Sequence, residues 1–430
     1  MNKKRGLLAL SPLIILIILI IIFTRYSVDK SDREPNLSMS VAFLISSIYA
    51  IMITGGMPMK ARIDTYSKGA GSSNIMLMLW IYVLAGAFAS SAKGMGSIDA
   101  TVNLALHYLP AKMLLPGLFL ASCFISISIG TSVGTVVALV PIAADIAHSM
   151  GANVPMITAI IVGGAYFGDN LSFISDTTVV ATQTQGCNMS DKFRVNSLIV
   201  MPVAVIVLII YTFLGIHIQS PAYIPKVEFI KVIPYLVVLI TAIARMNVMA
   251  VLTLGLILCG VIGMIDGDYS IYGWFSAIGN GVLGMGELVM IAMMAGGMLE
   301  IIRANGGIDY IIDRLTAHVK GKRGAELSIA ALVSLVNICT ANNTVAILTV
   351  GDISKRIGDK FGVDNRKAAS ILDTFSCCVQ GLLPYGVQML LAAGLAHVNP
   401  MQILPYLYYP MAIGIAALMA ILFRYPKKYS

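Results

Sequence analysis

Charge is what this sequence has least of. Lys, Arg, Asp and Glu together make up 12% of the 430 residues, against 58% hydrophobic, and the mean hydropathy is +0.86. Soluble domains carry about 25% charged residues. A chain this poor in charge cannot cover a water-facing surface, so its solvent is a lipid bilayer. Metal-site spacing is lacking as well. Cys123, Cys187, Cys259, Cys339, Cys377 and Cys378 form no paired motif, and all but Cys187 lie in apolar stretches, where cysteine acts as a small hydrophobe. The histidines His107, His148, His217, His318 and His397 fall in loops or at segment ends and suggest no ligand cluster. No cofactor is expected. The net charge of +8 does not point to nucleic acid, because membrane proteins collect Lys and Arg in cytoplasmic loops.

What the chain does have is a succession of apolar segments, many of the length that crosses a hydrocarbon core. The first, 7–24, follows Met1 to Arg5 and resembles a signal peptide. Its apolar run is too long for that role, and no small-x-small site precedes the charged run Asp29 to Glu34. It reads as a retained first helix. The expected fold is an all-α polytopic membrane protein.

Shifting the chain on itself by 209 residues brings the segments from 38 onward into register with those from 247 onward. Identities are few, but loops, breaks and segment lengths keep in step. Charge then gives each copy an orientation. Loop 58–74 holds Lys60, Arg62 and Lys68, while 266–282 holds Asp266 and Asp268 and neither Lys nor Arg. Loop 149–155 has no basic residue, against Lys355, Arg356, Lys360, Arg366 and Lys367 in its counterpart. Loop 186–195 has Lys192 and Arg194, and 395–404 has none. Opposite bias in matched loops implies inverted repeats, each with a helical hairpin and an interrupted helix. The expected organisation is an N-terminal helix and periplasmic loop (1–36), a first repeat (37–218), a linker and connecting helix (219–245), a second repeat (246–424) and a tail (425–430). Both termini are then cytoplasmic in a bacterial inner membrane. Inverted repeats of this kind point to a secondary transporter.

Two kinds of break interrupt the apolar segments. The hairpin tips read Gly130-Thr131-Ser132-Val133-Gly134-Thr135 and Thr340-Ala341-Asn342-Asn343-Thr344. Hydroxyls, amides and unwound carbonyls are the oxygens that a hard cation needs once it sheds water. Thr131, Ser132, Thr135, Asn342, Asn343 and Thr344 are therefore candidate ligands. The second kind of break is Gly168 to Thr178, matched by Asp373 to Ser376 and Gln380 to Gly386 in the second half. In the 209 register Ser175 falls on Pro384 and Asp176 on Tyr385. Asp169 and Asp176 are carboxylates inside a membrane segment, where charge is costly and marks function; helix capping is the plainer alternative. In a site withdrawn from water a carboxylate keeps its charge only beside a cation, so Na+ and H+ compete for it. Asn170, Ser172, Ser175, Thr177, Asp373 and Gln380 complete the candidate binding set.

The strings Gly130-Thr131-Ser132-x-Gly134-Thr135 and Gly168-Asp169-Asn170-x-Ser172-x-x-Ser175-Asp176-Thr177-Thr178 resemble the NhaC family of Na+/H+ antiporters, part of a broader ion-transporter superfamily. The resemblance spans about 38–423. It implies Na+ as a transported or coupling ion, bound at Asp176 and Asp169, and alternating access by motion of one bundle past another. Members often carry Lys after the first Asp and Pro before the Ser-Asp pair, where this chain has Asn170 and Phe173-Ile174. The first change leaves Asp169 without a basic partner. The same family includes proteins that look like malate/lactate exchangers and amino-acid transporters.

The leading expectation is thus Na+/H+ antiport, with Na+ and H+ as partners and a homodimer as an open arrangement. A coupled carrier of a small organic acid or amino acid is the alternative, though no Lys or Arg is evident in mid-segment to favour it. An intramembrane aspartyl protease is remote, since no Tyr-Asp pair is present. A passive channel is a further alternative, though inverted repeats with matched breaks do not require an open pore.

Overall fold

The computed structural model describes residues 3–29, 39–108, 110–173, 175–216, 218, 227–244, 246–317 and 319–429. Residues 30–36 of the expected periplasmic loop, 219–226 of the expected linker, and His217 and His318 lie outside the described residues. Among those described, helices are the regular elements. The first stretch runs α1 (Lys3–Asp29), α2 (Met39–Ile53), α3 (Met59–Ala70), α4 (Ser73–Gly94) and α5 (Ser97–Tyr108). It continues with α6 (Leu114–Ile129), α7 (Ser132–Ser149), α8 (Val154–Leu171), α9 (Asp176–Gln185) and α10 (Met189–Gly215). A connecting helix α11 (Phe229–Ile243) leads to α12 (Val248–Asp266), α13 (Ile271–Gly284), α14 (Gly286–Ala304) and α15 (Gly307–Thr316). Then follow α16 (Gly321–Thr340), α17 (Asn343–Phe361), α18 (Asn365–Leu382), α19 (Val387–Leu395), the short α20 (Pro400–Ile403) and α21 (Tyr408–Leu422).

Eight helical segments among the described residues are long and apolar enough to cross a membrane. A ninth is added if Pro400–Tyr406 and Tyr408–Leu422, bent by 54°, form one span. Long apolar side chains such as Ile14, Leu44, Phe124, Ile206, Phe213 and Ile415 face outward, as a lipid-facing surface requires. Inside, α8 is buried along nearly its whole length, with α6, α7, α10, α18 and α21 packed around it.

Helix boundaries recur along the chain. α7 starts at Ser132 and α17 at Asn343; α8 ends at Leu171 and α18 at Leu382; α9 starts at Asp176 and α19 at Val387. Each pair is 211 positions apart, so the 209 register drifts by two residues over this part of the chain. Ser175 therefore matches Gly386, not Pro384, and Asp176 matches Val387, not Tyr385. Repetitive apolar sequence tolerates a slip of this size, because many residue types satisfy the same lipid-facing or core position. In the corrected register Asp169 matches Gln380. Packing also runs between the two halves of the chain: α3 lies on α14 and α13 on α4, while α9 lies on α17 and α19 on α7.

The α6–α8 contact shows why these helices approach so closely. Ser122 Oγ donates to Ile161 O at 2.7 Å and Ser126 Oγ to Ala165 O at 2.6 Å. Gly164 and Gly168 face those serines, and a Cβ at Gly168 would stand 2.0 Å from Ser126 Oγ. Small residues and interhelical hydroxyl bonds are how helices associate where lipid removes the hydrophobic drive. At the matching place in the second half, Asn337 Nδ2 donates to Ser376 O at 2.8 Å.

Candidate functional site

Both hairpins turn through a left-handed residue. Gly130 (φ 77°) ends α6 and Ala341 (φ 49°) ends α16. Thr131 and Asn342 then adopt extended conformations at the cap positions just before α7 and α17. Asn342 accepts from Val345 N at 3.0 Å, whereas Thr131 provides no side-chain cap. The cap of α7 comes from another helix. Ser132 N donates to Asp169 Oδ1 at 3.1 Å, and Ser132 Oγ to Asp169 Oδ2 at 2.5 Å. A carboxylate at a helix N-terminus is favoured by the free N–H groups and the helix dipole.

The interrupted helices break over short stretches. α8 ends at Leu171 and α9 starts at Asp176; α18 ends at Leu382 and α19 starts at Val387. The first break is narrower than the expected Gly168 to Thr178, since Gly168, Asp169 and Asn170 remain helical. Ser175 caps the break from the other side, donating to Asp169 Oδ1 at 3.2 Å. Thr178 Oγ1 donates to Asp169 O at 3.3 Å. Asp169 thus ties the tip of one hairpin to the break in the neighbouring helix, which is more than local capping.

The first residues of α7, α9, α17 and α19 all line one cavity of about 520 Å³. Asp169 and Asp176 face it, with Thr131, Ser132, Ser175 and Thr177 from the first half and Asn342, Asn343, Thr344 and Gln380 from the second. Asp169 is buried and Asp176 is exposed to the space. None of the described lining residues is Lys, Arg or His.

Gln388, outside the set expected from sequence, lines the same cavity. Its Nε2 donates to Ser132 Oγ at 3.0 Å, and Gln380 Nε2 donates to Gln388 Oε1 at 3.2 Å and to Ala341 O at 2.9 Å. A chain of polar contacts therefore runs from Asp169 across to the opposite hairpin tip. A signal for Gln388 does exist in the sequence: Gln380 and Gln388 are two amides flanking Pro384 in an otherwise apolar stretch.

Four candidates sit away from the cavity wall. Ser172 Oγ donates to Ile127 O and Thr135 Oγ1 to Thr131 O, so both hydroxyls serve the backbone. Asn170 and Asp373 join a buried cluster behind the cavity. Asn170 Nδ2 donates to Asp373 Oδ2 at 3.1 Å, and Tyr409 Oη donates to Asn170 Oδ1 at 2.9 Å.

The centre of that cluster is Lys192, expected from sequence to be a loop residue. It lies in the first turn of α10, 1% exposed, with Nζ 2.8 Å from Asp373 Oδ2. Asn196, one turn on, donates to Asp373 Oδ2 at 2.8 Å and to Asn170 O at 2.9 Å. What is corrected is the expected place of Lys192 as a solvated loop charge; at the start of α10 it is still not a mid-segment residue. The Lys192/Asn196 spacing, i and i+4 beside an apolar run, is the pattern that marks a buried polar face. Lys367 is buried too, donating to Tyr425 O. Neither lysine reports on the side of the membrane as a solvated loop charge would. Asp169, for its part, is compensated by the α7 N-terminus and two hydroxyls, not by a cation.

The Na+/H+ antiporter family model matches residues 37–216 and 220–427. The Na+/H+ antiporter NhaC of Bacillus subtilis is 26% identical over an alignment covering 92% of this chain and 93% of that protein. The Na+/H+ antiporter NhaC of Alkalihalophilus pseudofirmus is 24% identical, covering 98% and 96%. The malate-2H+/Na+-lactate antiporter of Bacillus subtilis is 23% identical, covering 84% and 83%. With the match extending over nearly the whole chain, this protein belongs to the Na+/H+ antiporter family.

Proposed function

We propose that this chain exchanges Na+ for H+ across a bacterial inner membrane, with both ions competing for Asp169 and Asp176. The observation that carries this reading is a cavity holding two carboxylates, several hydroxyls and amides, and no cationic side chain among its described lining residues. A dehydrated Na+ requires oxygen ligands, and an uncompensated carboxylate in the same place takes up a proton instead. Thr131, Ser132, Ser175 and Thr177 on one wall and Asn342, Asn343, Thr344 and Gln380 on the other supply neutral oxygens. The repeats 37–218 and 246–424 are read as inverted, joined by 219–245. Arg194, Lys355, Arg356 and Lys360 still support the opposite loop bias once the buried Lys192 and Lys367 are set aside. Both termini are then cytoplasmic, and the site opens to each side in turn.

A second reading is a coupled carrier of a small organic anion. Four helix N-termini reach a cavity of about 520 Å³, more space than one bare ion fills, and N-termini attract carboxylates. The assay that separates the two uses proteoliposomes with a trapped pH dye. Na+, K+, malate, lactate and amino acids are added in turn. Proton movement on Na+ alone supports antiport; movement that needs an organic acid, with none on Na+, defeats it.

A further inference from the structure

Lys192 has the surroundings of a bound ion. Its Nζ lies 2.8 Å from Asn170 O, 2.6 Å from Thr178 Oγ1 and 2.8 Å from Asp373 Oδ2. The first oxygen is a backbone carbonyl in the last turn of α8; the others are a hydroxyl and a carboxylate. A carbonyl at a helix C-terminal end, a hydroxyl and a carboxylate together are the ligand mixture of cation sites at discontinuous helices. Lys192 is 1% exposed and Asp373 0%, so water reaches neither charge.

The cluster also holds more oxygen than a lysine uses. An ammonium has three N–H donors, and these three oxygens account for all of them. Asp373 Oδ1 remains, buried and without a hydrogen-bond partner, on the same carboxylate that Lys192 holds through Oδ2. Buried carboxylate oxygens are almost always satisfied. A surplus carboxylate oxygen beside a three-donor cation is what remains when an ammonium occupies a place built for an ion of higher coordination number.

We propose that Asn170 O, Thr178 and Asp373 form a second monovalent-cation site, filled permanently by the tethered ammonium of Lys192. The consequence, that only the Asp169–Asp176 site exchanges its ion, rests on the Na+/H+ reading above; the site itself does not. Lys192 then sets the number of ions carried per cycle, because its charge stays with the protein.

The test compares purified Asp169→Asn with Asp169→Asn/Lys192→Ala, so that the exchangeable site is disabled in both. Thermal stability is followed against NaCl or KCl, with choline chloride holding ionic strength constant. The expected result is a Tm that rises with Na+ or K+ in the Lys192→Ala protein only. Adding Asp373→Leu should abolish that rise. An equal salt response with and without Lys192 overturns the proposal. So does a Lys192→Ala protein that is lost from membranes at every Na+ and K+ concentration while Lys192→Ala/Asp373→Leu is recovered, since the small cations would then be unable to replace the ammonium. A failure of Na+/H+ exchange in the unmodified protein is read in the flux assay and leaves this outcome unaffected.

Discussion

Ser132 gives both its backbone N–H and its hydroxyl to the Asp169 carboxylate, at 3.1 and 2.5 Å, although the two residues lie on different helices. Asp169 therefore senses the hairpin tip directly. Replacing it by Asn keeps an oxygen for the Ser132 N–H but removes the charge. A hydrogen bond to a charged group contributes about 1.5–3 kcal/mol, and a missing ion ligand adds to that. Asp169→Asn is expected to remain folded and to lose roughly 100-fold or more of Na+-dependent proton flux. Everted vesicles with a pH-sensitive dye provide the measurement. A variant working at the unmodified rate would take Asp169 out of the site.

The link between the halves makes a separate prediction. Gln388 bonds to Ser132 on one side and Gln380 on the other. Leu at position 388 keeps the volume and deletes both hydrogen bonds. Neutral hydrogen bonds contribute about 0.5–1.5 kcal/mol each, so exchange should slow by roughly 2- to 10-fold for each one removed. Na+ binding measured by calorimetry should change less than the exchange rate, because Gln388 reaches the carboxylate only through Ser132. A loss confined to binding, with turnover intact, would contradict this assignment.

Close packing of α6 on α8 has its own signature. A Cβ at Gly168 would lie 2.2 Å from Ser126 Cβ and 2.6 Å from the Ser126 carbonyl carbon, and backbone cannot rotate away as a side chain would. Gly168→Ala is expected to destabilise by about 1–3 kcal/mol or more, the usual range for overpacking. It should also displace Asp169, the next residue, and so weaken Na+ affinity. Thermal unfolding in detergent together with Na+ titration checks both effects. Unchanged stability would mean that the two helices are further apart than described.

Much of this architecture is legible in the residues. Low charge identifies the solvent, polar punctuation marks both breaks and both tips, and Asp169 and Asp176 stand out as carboxylates in apolar sequence. Lys192 is not legible in the same way. Four residues beyond Asn188, at the entrance to a long apolar run, a lysine reads as a solvated loop charge; its burial depends on Asp373, which is distant in sequence and arrives only through the packing of α10 on α18. Asn170 departs from its expected place in the cavity for a similar reason. Its neighbour faces the cavity, but one step along a helix turns a side chain by roughly 100°, here towards Tyr409 and Asp373.

The two hairpin tips offer a comparison within one chain. Gly130 and Ala341 hold the same left-handed turn, with their N–H groups donating to Ser126 O and Asn337 O at 2.8 Å. Left-handed backbone costs an L-residue roughly 1–2 kcal/mol, which glycine escapes, while glycine gives back about 0.4–1 kcal/mol through its freer unfolded chain. Ala341→Gly should therefore stabilise the protein by roughly 0.5–1 kcal/mol, and Gly130→Ala should destabilise it by a similar amount. The readout is Tm in detergent under identical salt. Opposite signs in the two variants are the expected outcome. If Ala341→Gly lowers Tm instead, the turn at the second tip is not strained, and the two hairpins do not share a conformation.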